Sequence, residues 1–382
     1  MPSPKKRKPV TPPGKSKPAP SAGRSGSSAG RASVSGASEE VTELHEALTS
    51  ELETLADELS FSRHLEAMSD LDGGISQLKL DVEQIRMRGY RFKNFLERKV
   101  ETLEQKWRAA RPALRRELSR AEAELTPLYD QLARRVSQAS GRAQLSALER
   151  QVQQLKARVE AATEAIDATY SNVSQTFYQT RSQIQEVLFL LEQVEQASFD
   201  LLAGEHPVQA VRAKWWRDGK NKGPEGILYL TDQRLIFEQK EEVATKKVLF
   251  VATEKELRQE MLLEVPVGAV EAARAIDKGL MGHQDHLEFT FGEDAPYASA
   301  YFHIKGQDNH AWVGLVNRVR TGEINRERYY AEGESPEDFE QALEEAFASA
   351  PERCTSCGAP LGPLTAGQRQ IECEYCGTVM RW

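Results

Sequence analysis

The chain has few of the residues from which large cores, disulfides and membrane spans are built. Of its 382 residues only 7% are aromatic and four are cysteines, whereas 28% are charged. No apolar run approaches the roughly 18 residues that a membrane-spanning helix needs, and the amino-terminal segment lacks the apolar stretch of a secretory signal. We therefore expect a cytoplasmic, helix-rich protein whose length allows two or three domains.

The sequence also lacks the motifs of common catalytic sites. It contains no glycine-rich phosphate loop ending in Lys-Ser/Thr, no Gly-x-Ser-x-Gly elbow and no helical His-Glu-x-x-His pair. The four cysteines form two Cys-x-x-Cys pairs, so none is left over as a nucleophile. His283 and His286 lie among Gly279, Gly282 and Asp285 and are interpreted as surface histidines of a loop. These absences predict a protein that is not an enzyme.

Charge is distributed unevenly between the first 38 residues and the rest of the chain. Residues 1–38 contain eight basic residues, no acidic residue and seven of the 17 prolines, whereas the whole chain has a net charge of −8. Subtracting +8 from −8 leaves −16 for the remainder. Such a basic, proline-rich segment buries too little apolar surface to offset its ordering entropy, so residues 1–38 are predicted to be a disordered tail. Only this tail favours binding to nucleic acid, because the remainder is acidic.

Residues 39–200 have the apolar periodicity of long helices. In their last third, apolar residues recur at alternating spacings of three and four, with one shift at Tyr170, which is typical of a coiled-coil seam. We expect an antiparallel hairpin turned at Gly141 or a parallel pairing of two chains, and the sequence does not choose between them. The seam comprises Leu145, Leu148, Val152, Leu155, Val159, Ala162, Ile166, Tyr170, Val173, Phe177, Thr180, Ile184, Val187, Leu191 and Val194.

Several breaks or bends are expected in this helical region. The stretch Asp70–Gly74 contains two glycines and predicts a turn that ends the first helix. A second helix is expected over residues 75–139, with kinks rather than ends at Pro112 and Pro127, because the apolar phase continues past both. The next break is expected at Ser140–Gly141.

The segment Gly226–Phe237 predicts a β-hairpin, because two apolar runs flank the polar Thr231–Asp232–Gln233. A glycine, an apolar strand ending in Leu-Thr-Asp and then Arg-Leu-Ile-Phe resembles the second and third strands of a GRAM domain, a pleckstrin-homology-like (PH-like) module. The resemblance covers about residues 200–322, and the module is assigned to residues 201–322. It implies a β-barrel closed by one helix, here Asn309–Val319, and the long charged segment Glu238–Gln259 is interpreted as an insertion. The other strand candidates are Val208–Trp216, Leu262–Val265, Leu287–Phe291 and Ala300–Ile304.

Basic residues link the first two strands of this module. Some PH-like domains hold lipid phosphates with basic residues at this place in the fold, so the resemblance implies an anionic ligand here. The candidate ligand-binding residues are Lys214, Trp215, Arg217, Lys220 and Lys222, with the tryptophan proposed to enter a membrane interface. A solvated loop with its tryptophans in the core is the competing interpretation.

The last 60 residues contain a short helix and a cysteine-rich segment. Residues 323–350 are predicted to be a linker with a helix that begins at Ser335. Residues 351–382 resemble a zinc ribbon, in which Cys354, Cys357, Cys373 and Cys376 bind a structural zinc ion, with Gln370–Cys373 and Thr378–Trp382 as strands. An iron site and a redox disulfide remain alternatives. Arg353, Arg369 and Arg381 are placed to offset the charge of four thiolates and one Zn²⁺.

Together these patterns predict a multi-domain α + β protein: a long helical coiled coil, a PH-like β-barrel with a C-terminal helix and a small zinc ribbon. The expected function is that of a non-catalytic scaffold or adaptor, located in the cytoplasm or peripherally at a membrane. It would self-associate through the coiled coil and bind a protein or an anionic lipid surface through the PH-like module. The alternative is a nucleic-acid-binding protein that uses the basic tail and the zinc ribbon.

Overall fold

The fold is that of a computed structural model, which describes residues 29–217, 222–248, 251–279, 284–293, 295–338, 341, 345, 349–362 and 370–381. The chain divides into two compact units. A helical unit combines the described part of Met1–Ser60 with Arg120–Ala162, and a mixed unit combines Phe61–Ser119 with the described part of Thr163–Trp382. The four long helices are α1 Ala29–Leu59, α2 Ser62–Met87, α3 Leu96–Ser137 and α4 Arg142–Glu195.

The first helix begins within the segment predicted to be a tail. The backbone is already helical at Ala29, whereas the sequence places the start of the helical region at Glu39. The predicted tail residues 1–28 lie outside the described residues.

The helical unit packs three helical segments against one another. The guanidinium of Arg142 in α4 lies 2.5 Å from the Glu40 carboxylate of α1. His45 Nε2 of α1 lies 3.0 Å from the carbonyl oxygen of Val136 in α3, and an ion pair joins α3 to α4. The seam is thus buried within one chain by three segments, an arrangement that does not show the predicted two-stranded coiled coil. The buried seam residues of this unit are Leu145, Leu148, Val152, Leu155 and Val159.

The stretch Asp70–Gly74 lies inside α2, so the predicted turn is wrong. A Cβ atom on Gly74 would lie only 2.4 Å from Cζ of Phe177, so the glycine lets the aromatic ring of α4 lie directly on α2. Asp72 accepts a hydrogen bond of 2.7 Å from Nε1 of Trp107 in α3. The glycine and the acid therefore serve packing between helices, which the local sequence does not distinguish from a turn.

The second apolar run is interrupted at residues 88–95, so the expected single helix over residues 75–139 is also wrong. Arg86 donates hydrogen bonds to the carbonyl oxygens of Tyr90, Phe92 and Lys93 at 3.0, 2.7 and 3.0 Å. These bonds satisfy a non-helical loop from which Tyr90 and Phe92 insert fully buried rings. The loop continues the apolar pattern, which hides the break in the sequence.

Two other expectations, about where the helices end, are confirmed. α3 continues past Pro112 and Pro127, and the chain leaves the helical conformation at residues 139–141, before α4 begins at Arg142.

The mixed unit also contains an antiparallel sheet of seven strands in the order β4-β3-β2-β1-β7-β6-β5. Side chains of its strands fill a core, in which Leu228, Phe237, Phe289 and Phe302 are completely inaccessible to solvent. The helix α5, Asn309–Arg320, follows the last strand and confirms the predicted PH-like order. The strands are β1 Pro207–Trp215, β2 Glu225–Thr231, β3 Arg234–Val248, β4 Val251–Pro266, β5 Val270–Lys278, β6 Gln284–Phe291 and β7 Ser299–Lys305.

The charged segment Glu238–Gln259 is not an insertion but lengthens β3 and β4. The two strands pair from Arg234 and Pro266 to Val248 and Val251, whereas β2 accompanies β3 only as far as Gln239. Beyond that point β3 and β4 pair only with each other among the described strands. The high charge of the segment is therefore compatible with strand structure.

The sheet is open, so the described residues do not show the predicted closed barrel. β4 and β5 end the strand order and do not pair with each other. β4 ends at Pro266, which has no N–H to donate, and the 3₁₀ turn Val267–Ala269 leads into β5. α5 packs against β5, β6 and this turn. Among the described helices, none combines the length and the apolar character needed to cross a membrane.

Candidate functional site

Each Cys-x-x-Cys pair forms a tight turn that ends at a glycine with positive φ. The N–H of Gly358 donates to the carbonyl of Cys354, and the N–H of Gly377 donates to that of Cys373, both at 2.8 Å. The two glycines have φ values of 74° and 71°. Residues with a Cβ atom rarely adopt this conformation, so the glycines allow the turns to direct two sulfurs inward.

The four cysteine sulfurs lie around a common point. All are within 4.8 Å of one another, with Cys354 Sγ 3.6 Å from Cys376 Sγ and Cys357 Sγ 3.5 Å from Cys373 Sγ. Four sulfurs bound tetrahedrally at about 2.3 Å from one zinc ion would be about 3.8 Å apart. The cluster therefore fits a tetrahedral metal ion such as zinc, and such an ion would have no open position for a substrate.

The cluster is part of a small hydrophobic core. Cys354 and Cys373 are 3% and 1% exposed and pack with Met380. Met380 lies on β9, Val379–Arg381, which pairs with β8, Gln370–Glu372, and both strands lie within their predicted ranges. Because the cysteines are central to this core, a bound metal would stabilise the fold of the segment.

The polar groups near the sulfurs favour thiolate at one of the exposed cysteines. Oγ1 of Thr378 lies 3.2 Å from Sγ of Cys376 and lowers the pKa of that thiol to about 6. Arg353 instead donates to the carbonyl of Gly358, at 3.3 Å. Arg369 and the side chain of Arg381 lie outside the described residues.

The residues that form the GRAM-like motif hold the β2–β3 turn together. Oγ1 of Thr231 accepts the N–H groups of Gln233 and Arg234 at 3.1 and 2.7 Å and donates to the Glu205 carboxylate at 2.6 Å. Arg234 also donates to Glu205, at 2.9 and 2.5 Å, and both residues are 5% exposed. These residues are structural, and they tie Glu205, which precedes β1, to the hairpin.

Trp215 is a core residue, although the sequence made it a candidate for a membrane interface. It is 3% exposed, and its ring centroid lies 5.8 Å from that of Phe237 and 5.7 Å from that of Phe302. The Trp215 ring also contacts an exposed candidate cation, because the guanidinium of Arg217 lies 4.7 Å from the centre of the ring.

The candidate cations gather where β1 ends and β2 begins. Arg217 and Lys222 are exposed, and the ammonium of Lys214 lies 3.5 Å from the Glu225 carboxylate. Gly223 approaches the backbone of Trp215 so closely that a Cβ atom would lie 1.9 Å from its carbonyl oxygen. This contact brings the two sides of the connection together. Lys220 lies outside the described residues.

One further cation belongs to this surface and was missed in the sequence. Nζ of Lys305, at the end of β7, donates to the Glu225 carboxylate at 3.2 Å. This hydrogen bond, with a smaller contribution from Lys214, lowers the pKa of Glu225. No local pattern indicates Lys305, because only the pairing of β1 with β7 brings it to Lys214.

His286 is buried, so its interpretation as a surface histidine is wrong. It lies on β6 at 0% exposure, with its ring centroid 4.7 Å from that of His303 and 4.6 Å from that of Trp216. Neither ring nitrogen has a hydrogen-bond partner in the described part of the chain. Burial, together with His303 and Lys278, lowers its pKa to about 4. His283 lies outside the described residues.

No protein-family model and no curated protein matches this sequence. The solved structures similar to it include the N-terminal PH domain of Vps36, at 15% identity over 33% of this chain and 86% of that chain, with a TM-score of 0.21. A pleckstrin-homology domain protein of the duf1696 family from Shewanella loihica has 12% identity over 35% and 92%, also at 0.21. The DH/PH domains of p115-RhoGEF have 15% identity over 76% and 94%, at 0.21. Similarity at this level carries no argument about function, and the PH-like description rests on the strand order and the closing helix.

Proposed function

We propose that this chain is a non-catalytic interaction protein whose PH-like module, of the GRAM type, docks on an anionic membrane surface. This proposal rests on the group of cations at the β1–β2 connection. Arg217 and Lys222 are exposed there, and Lys214 and Lys305 share the single carboxylate of Glu225. The described part of this connection therefore has an excess of positive charge although the whole chain is acidic.

The energetics of such a surface are modest but sufficient for reversible docking. Each basic residue near an anionic leaflet contributes roughly 1 kcal/mol, and the attraction falls off within a Debye length. The contact of Arg217 with the buried Trp215 ring restrains the side chain, which reduces the entropy lost on binding. A protein partner with an acidic surface is the competing ligand.

We propose that the cysteine cluster is a structural zinc ribbon and that the chain has no catalytic site. Support for the first part is the four-sulfur geometry, which occupies every tetrahedral position. Support for the second is the absence of the sequence motifs of common catalytic sites. Turnover of any substrate by the purified chain would contradict it.

Self-association through the helices remains a proposal that needs residues other than the seam. The seam residues Val173, Phe177, Ile184 and Val187 are at most 5% exposed in the single chain. A second copy would have to bind exposed side chains of the helices instead. Light scattering on the full chain measures this directly, and a monomeric mass across micromolar concentrations would contradict self-association.

Flotation of the full chain with lipid vesicles tests the docking proposal. We expect binding to vesicles that contain phosphatidylserine or phosphoinositides, and none to neutral phosphatidylcholine vesicles. The double change Arg217→Glu and Lys222→Glu should weaken binding at least about 30-fold, from roughly 1 kcal/mol per lost basic residue. The control is Arg274→Glu, which reverses an exposed cation on β5 of the same module and should leave most of the binding intact.

The outcomes separate three classes of partner. The membrane proposal is contradicted if the double variant Arg217→Glu and Lys222→Glu binds anionic vesicles as well as Arg274→Glu does. It is also contradicted if the wild-type chain does not bind anionic vesicles. Salt-dependent retention on DNA or RNA that is lost on deleting residues 1–38 or 354–382 supports the nucleic-acid alternative. Retention of an acidic protein that is lost with Arg217→Glu, without vesicle binding, assigns the same surface to a protein ligand.

A further inference from the structure

The mixed unit contains an open cavity of about 370 Å³ that none of the features discussed so far uses. Its lining comes from the loop before α3, from α4, from β1 and from α5. It lies where the helices of this unit meet the PH-like sheet, and it is separate from the cations of the β1–β2 connection. It combines charged, amide and apolar groups in one space.

Lys93 reaches this cavity from a strained backbone position. Its φ is 53°, a left-handed conformation that non-glycine residues rarely adopt. The hydrogen bond of 3.0 Å from Arg86 to its carbonyl oxygen holds the backbone there. Strain of this kind persists where the surrounding structure enforces it, and it is common at functional sites.

The ammonium of Lys93 has no hydrogen bond within the described residues. Its nearest carboxylate, that of Glu186, lies at 3.8 Å. The side chain is 16% exposed, and burial lowers the pKa of this amine. A buried ammonium normally has close acceptors, so Lys93 is available to a ligand that brings one.

Gln209, which also lines the cavity, has an acceptor to which no described residue donates. It is 4% exposed, and its Nε2 donates to Glu186 and to Gln307, both at 3.0 Å. Its Oε1 is buried and has no partner among the described residues. The fixed amide group thus leaves one acceptor oxygen for a donor that the described part of the chain does not supply.

The other walls restrict the size and the charge of an occupant. Phe95 and Leu315 provide an apolar side. Glu186, Asp308 and Glu327 disfavour a polyanion such as a phosphate ester, and Glu327 pairs with Arg318. Lys93 disfavours a simple cation. A ligand with one positive and one negative group, and with an apolar portion, is complementary to this lining.

We propose that the cavity binds a free α-amino acid with an apolar side chain. Its carboxylate would accept hydrogen bonds from Lys93. Its ammonium would donate to Oε1 of Gln209 and face Glu186, and its side chain would contact Phe95 and Leu315. The carboxylate and the ammonium of the ligand would then provide hydrogen-bond partners for the Lys93 ammonium and for Oε1 of Gln209.

Calorimetric titration of the full chain with L-leucine tests this assignment. We expect saturable binding that is at least tenfold weaker for leucinamide, which lacks the carboxylate, and for 4-methylpentanoate, which lacks the ammonium. Lys93→Asn should weaken leucine binding at least tenfold, because asparagine tolerates the left-handed backbone but removes the charge. The control Lys79→Asn changes an exposed lysine of α2 and should bind as the wild type does.

A second measurement uses only the wild-type chain, in case Lys93→Asn does not fold. Leucine should protect Lys93 from acetic anhydride, as read by mass spectrometry, and should leave labelling of Lys79 unchanged. The proposal is overturned if leucine gives no binding and no protection, if Lys93→Asn binds it as tightly as the wild type, or if only a polyol such as glucose binds.

Discussion

At the scale of single residues, Gly74 determines how closely two helices of the mixed unit approach. The ring of Phe177 occupies the space that a Cβ atom on Gly74 would need, and this ring is itself 2% exposed. Gly74→Ala should therefore destabilise the chain by about 1–3 kcal/mol, the usual cost of overpacking a core. The midpoint of urea unfolding, followed by circular dichroism, measures the effect.

The neighbouring glycine provides a matched control. A Cβ atom on Gly73 would meet nothing within 4 Å, and the residue is exposed in the same helix. Gly73→Ala should stabilise the chain by about 0.5–1 kcal/mol, because alanine loses less backbone entropy in a helix. If both changes had the same sign, the packing role of Gly74 would be disproved.

His286 should make the stability of the mixed unit depend on pH. Its folded pKa of about 4 lies below the ordinary value of 6.5, so the unfolded chain binds the proton first. The stability that neutral His286 contributes is complete above pH 6.5 and is lost as the pH falls toward 4. The charged and titratable neighbours are His303 on β7, Lys278 on β5 and Asp285 on β6.

His286→Phe isolates this contribution. Phenylalanine keeps the ring contacts and removes two ring nitrogens that have no partner in the described residues, so it should be neutral or stabilising at pH 6. Unfolding midpoints at pH 4.5, 5.5 and 6.5, read from tryptophan fluorescence, should fall more steeply for the wild type than for the variant. Parallel pH profiles would rule out His286 as the titrating group.

The roles of single residues were predictable from the sequence in some cases and not in others. The four cysteines were identified correctly as a cluster, because their spacing is itself the signal of a shared site. Gly74 was interpreted as part of a turn, because a glycine for close packing and a glycine for a turn are identical in the local sequence. Lys93 and Gln209 carry no local signal, since their significance arises only where a loop, a helix and a strand meet.

At the scale of elements, the buried contact between Glu205 and Arg234 fixes the entry to the sheet. Both side chains are at most 6% exposed, and Arg234 also lies 2.5 Å from the Glu264 carboxylate of β4. Glu205→Ala would leave a buried guanidinium with one carboxylate fewer. We expect a loss of about 3 kcal/mol in the free energy of unfolding, measured by urea titration.

A solvent-exposed ion pair of the same sheet is the comparison for this change. Arg274 is 71% exposed and lies 3.7 Å from Glu288. Arg274→Ala should change the unfolding free energy by less than about 0.5 kcal/mol. A similar cost for both changes would mean that burial does not strengthen the Glu205 contact.

The elements themselves were predictable where the pattern was strong and local. The hairpin around Thr231–Gln233 follows from the two apolar runs that flank it, and the closing helix follows from helical periodicity. The loop at residues 88–95 was missed, because Tyr90 and Phe92 keep the apolar phase while hydrogen bonds from Arg86 allow the backbone to leave the helix. The length of β3 and β4 was missed because charged residues suggested an insertion.

At the scale of the whole molecule, the cysteine cluster predicts a stoichiometric metal. After gel filtration, mass spectrometry should find about one zinc per chain. Cys373→Ser should lower this to about a tenth or less, because a buried ligand is lost. Tyr375→Ala is the control, since this residue lies in the same turn but is 72% exposed and is not a ligand.

Two other results would show that the four cysteines do not bind zinc. Visible absorption from iron–thiolate bonds would indicate iron. A protein without metal, and with no free thiols after denaturation, would indicate disulfides. Removal of zinc by a chelator should expose Met380 and Ile371 to proteolysis, because the metal joins the two turns beside which they pack.

The outer ribbon, formed by β3 and β4 beyond Gln239, should make the rate of backbone hydrogen exchange uneven within the mixed unit. Past Gln239, no described strand other than these two pairs with either of them, and an isolated pair of strands is marginally stable in water. Backbone amides in this outer ribbon should exchange their hydrogens by local fraying, long before those of Leu228 or Phe237. Deuterium uptake would therefore divide one continuous β-strand into a fast half and a slow half.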